Sequence, residues 1–137
     1  MIKIEESTSA IVSEFDVFDD WMDKYNYIID LGKNSPGIDQ NLKTKENLVF
    51  GCTSQVWLLH EIKDSRLFFY GDSDAFIPKG IVSIILRIYS GSKPIDIVEH
   101  KPVFMERTGL LSHLTPNRAN GLASIIERIK TIARQNL

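Results

Sequence analysis

The spacing of apolar residues near the N-terminus predicts a first helix over residues 14–31. Its apolar positions recur at intervals of three and four, as one face of a helix requires: Phe15, Phe18, Met22, Tyr25 and Ile29. Four aspartates lie near its start, where the helix dipole favours negative charge. Ser13 is the expected N-cap and Gly32 the expected C-terminal stop. Residues 1–12 are expected to form a loose lead-in.

Three short apolar segments in the middle of the chain predict a small sheet. They cover residues 48–50, 55–62 and 67–70, and the second alternates between two faces. A polar loop over residues 33–46 precedes them and contains a turn at residues 34–37. The connections between the strands are short, and this favours a three-stranded antiparallel meander.

A nearly all-apolar segment after the third strand predicts a buried helix that covers the sheet. It ends near Ser90, and Asp72, Ser73 or Asp74 can cap its start. The stretch Gly71-Asp72-Ser73-Asp74 is interpreted as a turn with a helix cap, because it lacks the ligand spacing of a calcium loop. It also offers an acidic surface to a partner.

The C-terminal third is predicted to be helical as well. Two short helical pieces are expected over residues 94–99 and 103–108. The last helix has Thr115 as its N-cap and Pro116 at its first position. Its inward face is predicted to carry Leu122, Ile125, Ile126, Ile129 and Ile132. The order of elements predicts one α+β domain over residues 1–137, with a small antiparallel sheet packed against helices.

Composition removes several classes of function. The 137 residues include 16 basic and 18 acidic side chains, and the net charge of −2 excludes the broad basic surface of a nucleic-acid-binding protein. A single Cys excludes an internal disulfide, a CxxC redox pair and a multi-thiolate metal cluster, and the three His make no metal site at the spacing seen. The acidic N-terminus does not resemble a signal peptide, and no apolar run approaches the ~20 residues that span a bilayer. A free thiol without an export signal is typical of the cytoplasm.

Cys52 is the principal candidate for chemistry. It lies in Gly51-Cys52-Thr53-Ser54-Gln55, between two predicted strands, where Gly51 allows a sharp turn. Loops held by a rigid sheet commonly carry reacting groups. The alternative is a buried and inert thiol, since free Cys is among the most buried residue types.

Arg118 and the histidines are weaker candidates. Arg118 falls at the third position of the last helix, where the dipole disfavours a cation. It can face an anion such as a thiolate, a persulfide or a partner's carboxylate, or it can simply extend into solvent. His60 is expected at the core or edge of the sheet and His100 in solvent. His113 can approach Arg118, so a Cys–His nucleophile pair stays open.

Four segments, in order and spacing, resemble the SufE family of sulfur-acceptor proteins. They are DWMDKYNYIIDLG at residues 20–32, GCTSQVW at 51–57, GDSDAFIPKG at 71–80 and HLTPNRANGL at 113–122. The resemblance extends over residues 18–133, and the second and fourth segments together are specific. The chain departs from the family pattern in the polar turn after the first helix and in Pro78.

The resemblance implies an α+β fold similar to that of the IscU scaffold and a role in sulfur transfer. A pyridoxal-phosphate cysteine desulfurase, SufS-like or CsdA-like, would hold sulfur as a persulfide, and Cys52 would accept it. The chain would stimulate the desulfurase and pass sulfur to an iron–sulfur scaffold that is SufB-like, without a cofactor of its own. Supporting or partner-contacting roles would fall to Gly51, Ser54, Gln55, Asp74, His113 and Arg118. The sequence does not distinguish SufE from CsdE-like relatives.

Sulfur transfer also suits the thiol inventory. One Cys is sufficient for a relay, and an internal second thiol would resolve the persulfide to a disulfide. A loop that shelters Cys52 until a partner docks is expected. The main alternative is a stand-alone Cys–His hydrolase or thiol-redox enzyme, which would turn over without a partner. An iron–sulfur scaffold is disfavoured because one Cys cannot hold a cluster, and a purely structural adaptor would not need Cys52.

Overall fold

Two helices, and not one, form the N-terminal region of the computed structural model, which describes residues 2–137. Helix α1 (Lys3–Asp16) lies where most of the loose lead-in was predicted, and α2 (Trp21–Lys33) follows after a short break. The predictions of a loose lead-in, over residues 3–12, and of a single helix were therefore wrong. The buried face of α1 carries Ile4, Thr8, Ile11, Val12 and Phe15 and packs against later helices of the chain.

The break between α1 and α2 has a local cause. Asp20 has an extended backbone, and its side chain accepts a hydrogen bond of 2.9 Å from the backbone N–H of Asp23, so that it is the N-cap of α2. Ser13, the predicted N-cap, lies inside α1. Phe15, Phe18 and Met22 share a helical spacing, but Phe15 lies in α1, Phe18 in the break and Met22 in α2. The apolar spacing continues across Asp20, so the spacing alone does not show that this residue begins a new helix.

The sheet is a hairpin of two strands, where three were predicted. β1 (Val56–Lys63) pairs antiparallel with β2 (Arg66–Ser73), and Asp64 and Ser65 form the turn with positive φ. Leu48 makes only an isolated bridge to Trp57. The predicted first strand pairs over too short a stretch to count as one, because the chain leaves the hairpin after residue 49.

Helix α3 (Phe76–Tyr89) is the central helix and packs on β2 and on α1, α2 and α7. Its buried side chains confirm the predicted apolar helix. Its N-cap is Ala75, without a side-chain hydrogen bond, so the predicted caps were wrong. Asp72 and Ser73 belong to β2, and Asp74 instead accepts a hydrogen bond from the backbone N–H of Gln55.

Glycine lets α2 and α3 cross at backbone contact. A Cβ on Gly80 would lie 2.0 Å from the carbonyl oxygen of Ile28, and one on Gly32 would lie 2.8 Å from the amide nitrogen of Gly80. Gly32 is inside α2 and not its C-terminal stop. The helices therefore approach closely because both residues lack a side chain.

Four helices complete the fold: α4 (Pro94–Glu99), α5 (Phe104–Arg107), α6 (Leu110–His113) and α7 (Pro116–Gln135). Thr115 caps α7, and the five predicted inward residues are all buried. A short 3-10 helix at Gln40–Leu42 lies in the polar loop before the sheet. The structure confirms the α+β class, with helices from both halves of the chain around one apolar core.

The buried carboxylate of Asp72 ties the polar loop to the hairpin and α3. It accepts hydrogen bonds from the backbone N–H groups of Ile38 (3.1 Å) and Ser73 (2.8 Å) and lies 3.4 Å from Lys79 Nζ and 3.5 Å from Lys43 Nζ. Burial alone would raise the pKa of Asp72, but these donors and cations together lower it. The carboxylate is therefore compensated within the fold.

Candidate functional site

The chain segment that carries Cys52 is fixed where it enters the site. The backbone N–H of Val49 donates to Val56 O at 2.8 Å, which holds the segment beside β1. From α7, the guanidinium of Arg128 donates to Leu48 O at 3.3 Å and to Glu46 O at 3.2 Å. Two different elements therefore hold the entry to the cysteine loop, which we define as residues 50–54.

The exit of the cysteine loop is fixed by the end of β2. Asp74 Oδ1 accepts a hydrogen bond of 3.1 Å from the backbone N–H of Gln55, and Gln55 O accepts one of 2.7 Å from the Ser73 hydroxyl. The N–H of Asp74 also donates to Gln55 O at 3.3 Å. Asp74 and Gln55, two of the candidates from the sequence, thus meet in an anchor of the loop.

Between these two anchors the backbone of the cysteine loop makes no hydrogen bond to any helix or strand of residues 2–137. Gly51 has a φ of +93°, which favours glycine. The neighbouring Phe50 exposes 69% of its surface. Backbone bonds thus hold the ends of the cysteine loop but not its tip, where Cys52 lies.

Cys52 is half-buried and borders a small cavity of about 40 Å³ between the loop, α3 and α7. The other lining residues are mostly apolar or small: Thr53, Ser54, Val56, Pro78, Ile81, Asn117, Arg118, Gly121, Leu122 and Ile125. A single water-sized atom needs roughly 10–15 Å³ of such space. The cavity therefore has room for one further atom of sulfur size beside the thiol.

The thiol is held in its neutral form. Burial raises the pKa of Cys52 above its ordinary value, because the buried site solvates a thiolate poorly. Sγ lies 3.6 Å from the carbonyl oxygen of Gly121, to which the S–H donates. A Cβ on Gly121 would lie 3.5 Å from Sγ, at ordinary van der Waals distance, so the thiol packs directly against α7. In this state the nucleophilicity of Cys52 is low.

Arg118 lines the cavity from the first turn of α7. Its backbone N–H donates to the hydroxyl of Thr115 at 3.4 Å, as expected for the third position after an N-cap, and its side chain is exposed. The structure therefore brings Arg118 and Cys52 to one cavity, with the cation at its solvent-facing side.

His113 lies elsewhere. Its ring stacks on Trp21 with the centroids 3.9 Å apart, and Nδ1 lies 3.0 Å from the carbonyl oxygen of Gly109. It does not line the Cys52 cavity. The structure does not bring His113 and the thiol together as a nucleophile pair.

The other two histidines are also outside the site. His60 is exposed on β1, near the ring of Phe69. His100 is half-buried against the edge of Tyr89, and within residues 2–137 its Nε2 has no hydrogen-bond partner. The expectation that His100 is solvated was wrong, because its ring packs on Tyr89 of α3 and Lys130 of α7 binds its carbonyl oxygen.

Sequence reasoning missed three residues of α7 that support the loop: Gly121, Ser124 and Arg128. Their spacing of three and four places them on one face of the helix. That spacing was visible in the sequence, but which segment lies on that face depends on the tertiary structure.

The described part of the chain contains no group of three or more His, Cys, Asp or Glu side chains that could hold a metal ion. Among residues 2–137, no helix combines the length and the apolar character needed to cross a membrane.

Comparisons with known proteins concern the chain as a whole and identify its family. The family model SufE, described as the Fe–S metabolism associated domain, matches residues 9–133. An uncharacterized SufE-like protein of Rhizobium meliloti is 42% identical, and the match covers 96% of this chain and 97% of that protein. A SufE-like protein of Synechocystis is 37% identical over 91% of this chain and 79% of its own length.

A solved structure supports the fold independently. The solution structure of a hypothetical protein from Thermus thermophilus superimposes with a TM-score of 0.74, over 98% of this chain and 95% of that one, at 16% identity. At that identity the likeness concerns the fold alone. The family match over most of the length, together with the identity to its relatives, shows that the chain belongs to the SufE family and carries its iron–sulfur metabolism domain.

Proposed function

We propose that this protein accepts sulfur on Cys52 from the persulfide of a pyridoxal-phosphate cysteine desulfurase and passes it to an iron–sulfur scaffold. One observation carries the proposal: the single thiol of a SufE-family chain lies at the tip of a loop whose backbone is anchored to the rest of the fold at its two ends. A thiol on such a loop can move toward a partner while the rest of the fold stays unchanged.

The transfer itself is a thiol exchange. The Cys52 thiolate attacks the outer sulfur of the donor persulfide, and a new S–S bond forms between them. The original S–S bond breaks, and its electron pair leaves on the donor's cysteine as a thiolate. Cys52 gives its proton to water before the attack, and the departing thiolate takes one up. Oxidation states balance without a cofactor on this chain.

The position of Cys52 separates storage from reaction. In the seated state, burial keeps the thiol protonated by raising its pKa. Release of the loop into a partner's site restores access and an ordinary pKa, so that attack becomes possible. After transfer, the cavity beside Sγ has room for the additional sulfur and limits its loss to small thiols. We infer that docking of the desulfurase is what releases the loop.

The surrounding residues have separate roles in this proposal. Arg118 stabilises the anionic persulfide or contacts the partner, since it lines the same cavity and is otherwise unengaged by side-chain bonds among the described residues. Asp74 and Gln55 fix the loop's exit, Gly51 allows it to turn, and Ser54 lines the cavity. His113 lies on the exposed surface, where a partner can reach it. A free thiol of this kind suits the reducing cytoplasm.

The proposal is tested by intact-protein mass spectrometry after incubation with a cysteine desulfurase, pyridoxal phosphate and cysteine, without reductant. We expect the wild-type chain to gain the mass of one or more sulfur atoms and Cys52→Ser to gain none. Arg118→Ala should accept sulfur more slowly. Partner affinity is measured in parallel, so that a binding role and a role beside the thiol can be distinguished.

Two outcomes contradict the proposal. If several desulfurases transfer no sulfur to the wild-type chain, the relay role is wrong. If thiol-dependent turnover of a small substrate occurs without a partner, and a His variant abolishes it, the chain is a Cys–His enzyme. Unchanged acceptance and affinity in Arg118→Ala would remove Arg118 from the site.

A further inference from the structure

One face of α7 supports the whole segment that leads to the thiol. Gly121 contacts Cys52, Ser124 contacts Gly51, and the guanidinium of Arg128 binds Leu48 and Glu46. Moving toward the C-terminus of α7, the contacted residues move toward the N-terminus of the segment. Residues 46–52 therefore run antiparallel along the helix.

We call the α7 residues Gly121, Ser124 and Arg128 the seat of residues 46–52. Arg128 is its polar end. Its two N–H groups reach two main-chain carbonyls of residues 46–48, and both bonds join positions 80 or more residues apart in sequence. Bonds from a charged donor are stronger than those between neutral groups. Arg128 thus fixes the segment to α7 immediately before the cysteine loop.

Ser124 sets the spacing at the other end. A Cβ on Gly51 would lie only 2.5 Å from Ser124 Oγ and 3.3 Å from its Cβ, so the loop backbone already lies in contact with this side chain. A larger side chain at 124 that stays on this face of α7 would press against the Gly51 backbone and displace the loop. The loop rather than the helix would yield, because its backbone is unbonded and α7 is held by its buried face.

We propose that Ser124 and Arg128 are positioning residues that hold residues 46–52 against α7 and so determine how often Cys52 is released from its cavity. Neither residue lines the Cys52 cavity. The inference rests on the proposed function only in identifying Cys52 as the reacting group. Release itself is a property of the free chain and can be measured without any partner.

The reactivity of a sheltered thiol reports its release. When closing is faster than reaction, the observed rate is the intrinsic rate multiplied by the equilibrium constant for opening. Weakening the seat raises that constant. It also lowers the apparent pKa of the reaction toward that of an ordinary thiol, because a larger fraction of the thiol titrates in water.

The test is the rate of Cys52 alkylation by iodoacetamide across a pH series from neutral to alkaline, in wild type, Ser124→Leu and Arg128→Met. We expect each variant to react on the order of tenfold faster at neutral pH, with an apparent pKa below that of wild type. Ala123→Leu and Arg134→Met are the matched controls. Ala123 is exposed on the same helix, and the Arg134 guanidinium binds only exposed groups of α7 itself.

Thermal unfolding of each variant separates loop release from loss of the fold. Wild-type rates in both Ser124→Leu and Arg128→Met, or an equal acceleration in the controls, would overturn the inference. If Ser124→Leu unfolds, Arg128→Met still decides, since it removes donors without adding volume. A chain that accepts no sulfur would refute the proposed function and leave this result unaffected. Conversely, if the Ser124 and Arg128 variants react at the wild-type rate, the test of sulfur acceptance by Cys52 is unaffected.

Discussion

At the scale of single residues, position 51 has two requirements that only glycine, among the amino acids, meets. Its φ of +93° strains any L side chain, and a Cβ would collide with Ser124 Oγ. We expect Gly51→Ala to displace the cysteine loop and to speed alkylation of Cys52. Global stability should fall by no more than about 1–2 kcal/mol, because the unbonded loop yields first.

Two further variants distinguish these requirements. Ser124→Ala in the Gly51→Ala background should recover part of the shelter, since it removes the hydroxyl and leaves the backbone strain. Gly91→Ala is the control for positive φ, because Gly91 has a φ of +83° and lies near Phe68, away from the thiol. If Gly91→Ala changes the alkylation rate as strongly, the effect of Gly51 is not local.

At the scale of elements, the crossing of α2 and α3 fixes the position of the α3 residues that line the cavity. Pro78 and Ile81 line the cavity from α3, and Gly80 lies between them against Ile28 O. We expect Gly80→Ala to lower the free energy of unfolding by about 1–3 kcal/mol or more, since backbone atoms at 2.0 Å leave no side chain to move. Urea denaturation measures the change.

The control for this crossing is Ser83→Ala, about one turn further along α3, where the side chain is half-buried. It should change the urea midpoint little. A Gly80→Ala protein as stable as wild type would mean that the two helices separate freely, and that the close approach does not determine the position of α3.

At the scale of the whole molecule, stability depends on pH through His100. Burial, and secondarily the charge of Lys130, lowers the pKa of His100, while Glu5 acts weakly in the opposite sense. The unfolded chain therefore binds a proton below pH ~6.5 that the folded chain does not yet bind, so stability falls as pH decreases from there. We expect His100→Gln to show a smaller loss of melting temperature between about pH 6.5 and 5 than wild type.

His60→Gln is the matched control, because His60 is exposed on β1. It should retain the pH dependence of the wild type. The expectation is contradicted if His100→Gln and wild type lose stability in parallel over this range. Below about pH 5 the carboxylates titrate as well, so the comparison is restricted to the interval above it.

How much of the fold could be predicted depends on whether the signal is local. Thr115 and Pro116 mark the start of α7, and its apolar spacing continues without interruption, so both were identified correctly. The α1–α2 break was missed because Asp20 lies within a continuous apolar period. Gly32 resembles a helix stop in sequence, and only its contact with α3 shows that it is a crossing point.

The sequence by itself identified the candidate thiol, its motif and the family. One Cys, set between apolar segments beside a glycine, leaves a single candidate thiol, and residues 9–133 match the family model. Only the tertiary structure decided the state of that thiol. Its burial, the Gly121 contact and the Arg128 bonds join residues 69 to 82 positions apart, and no local pattern encodes which distant segments meet.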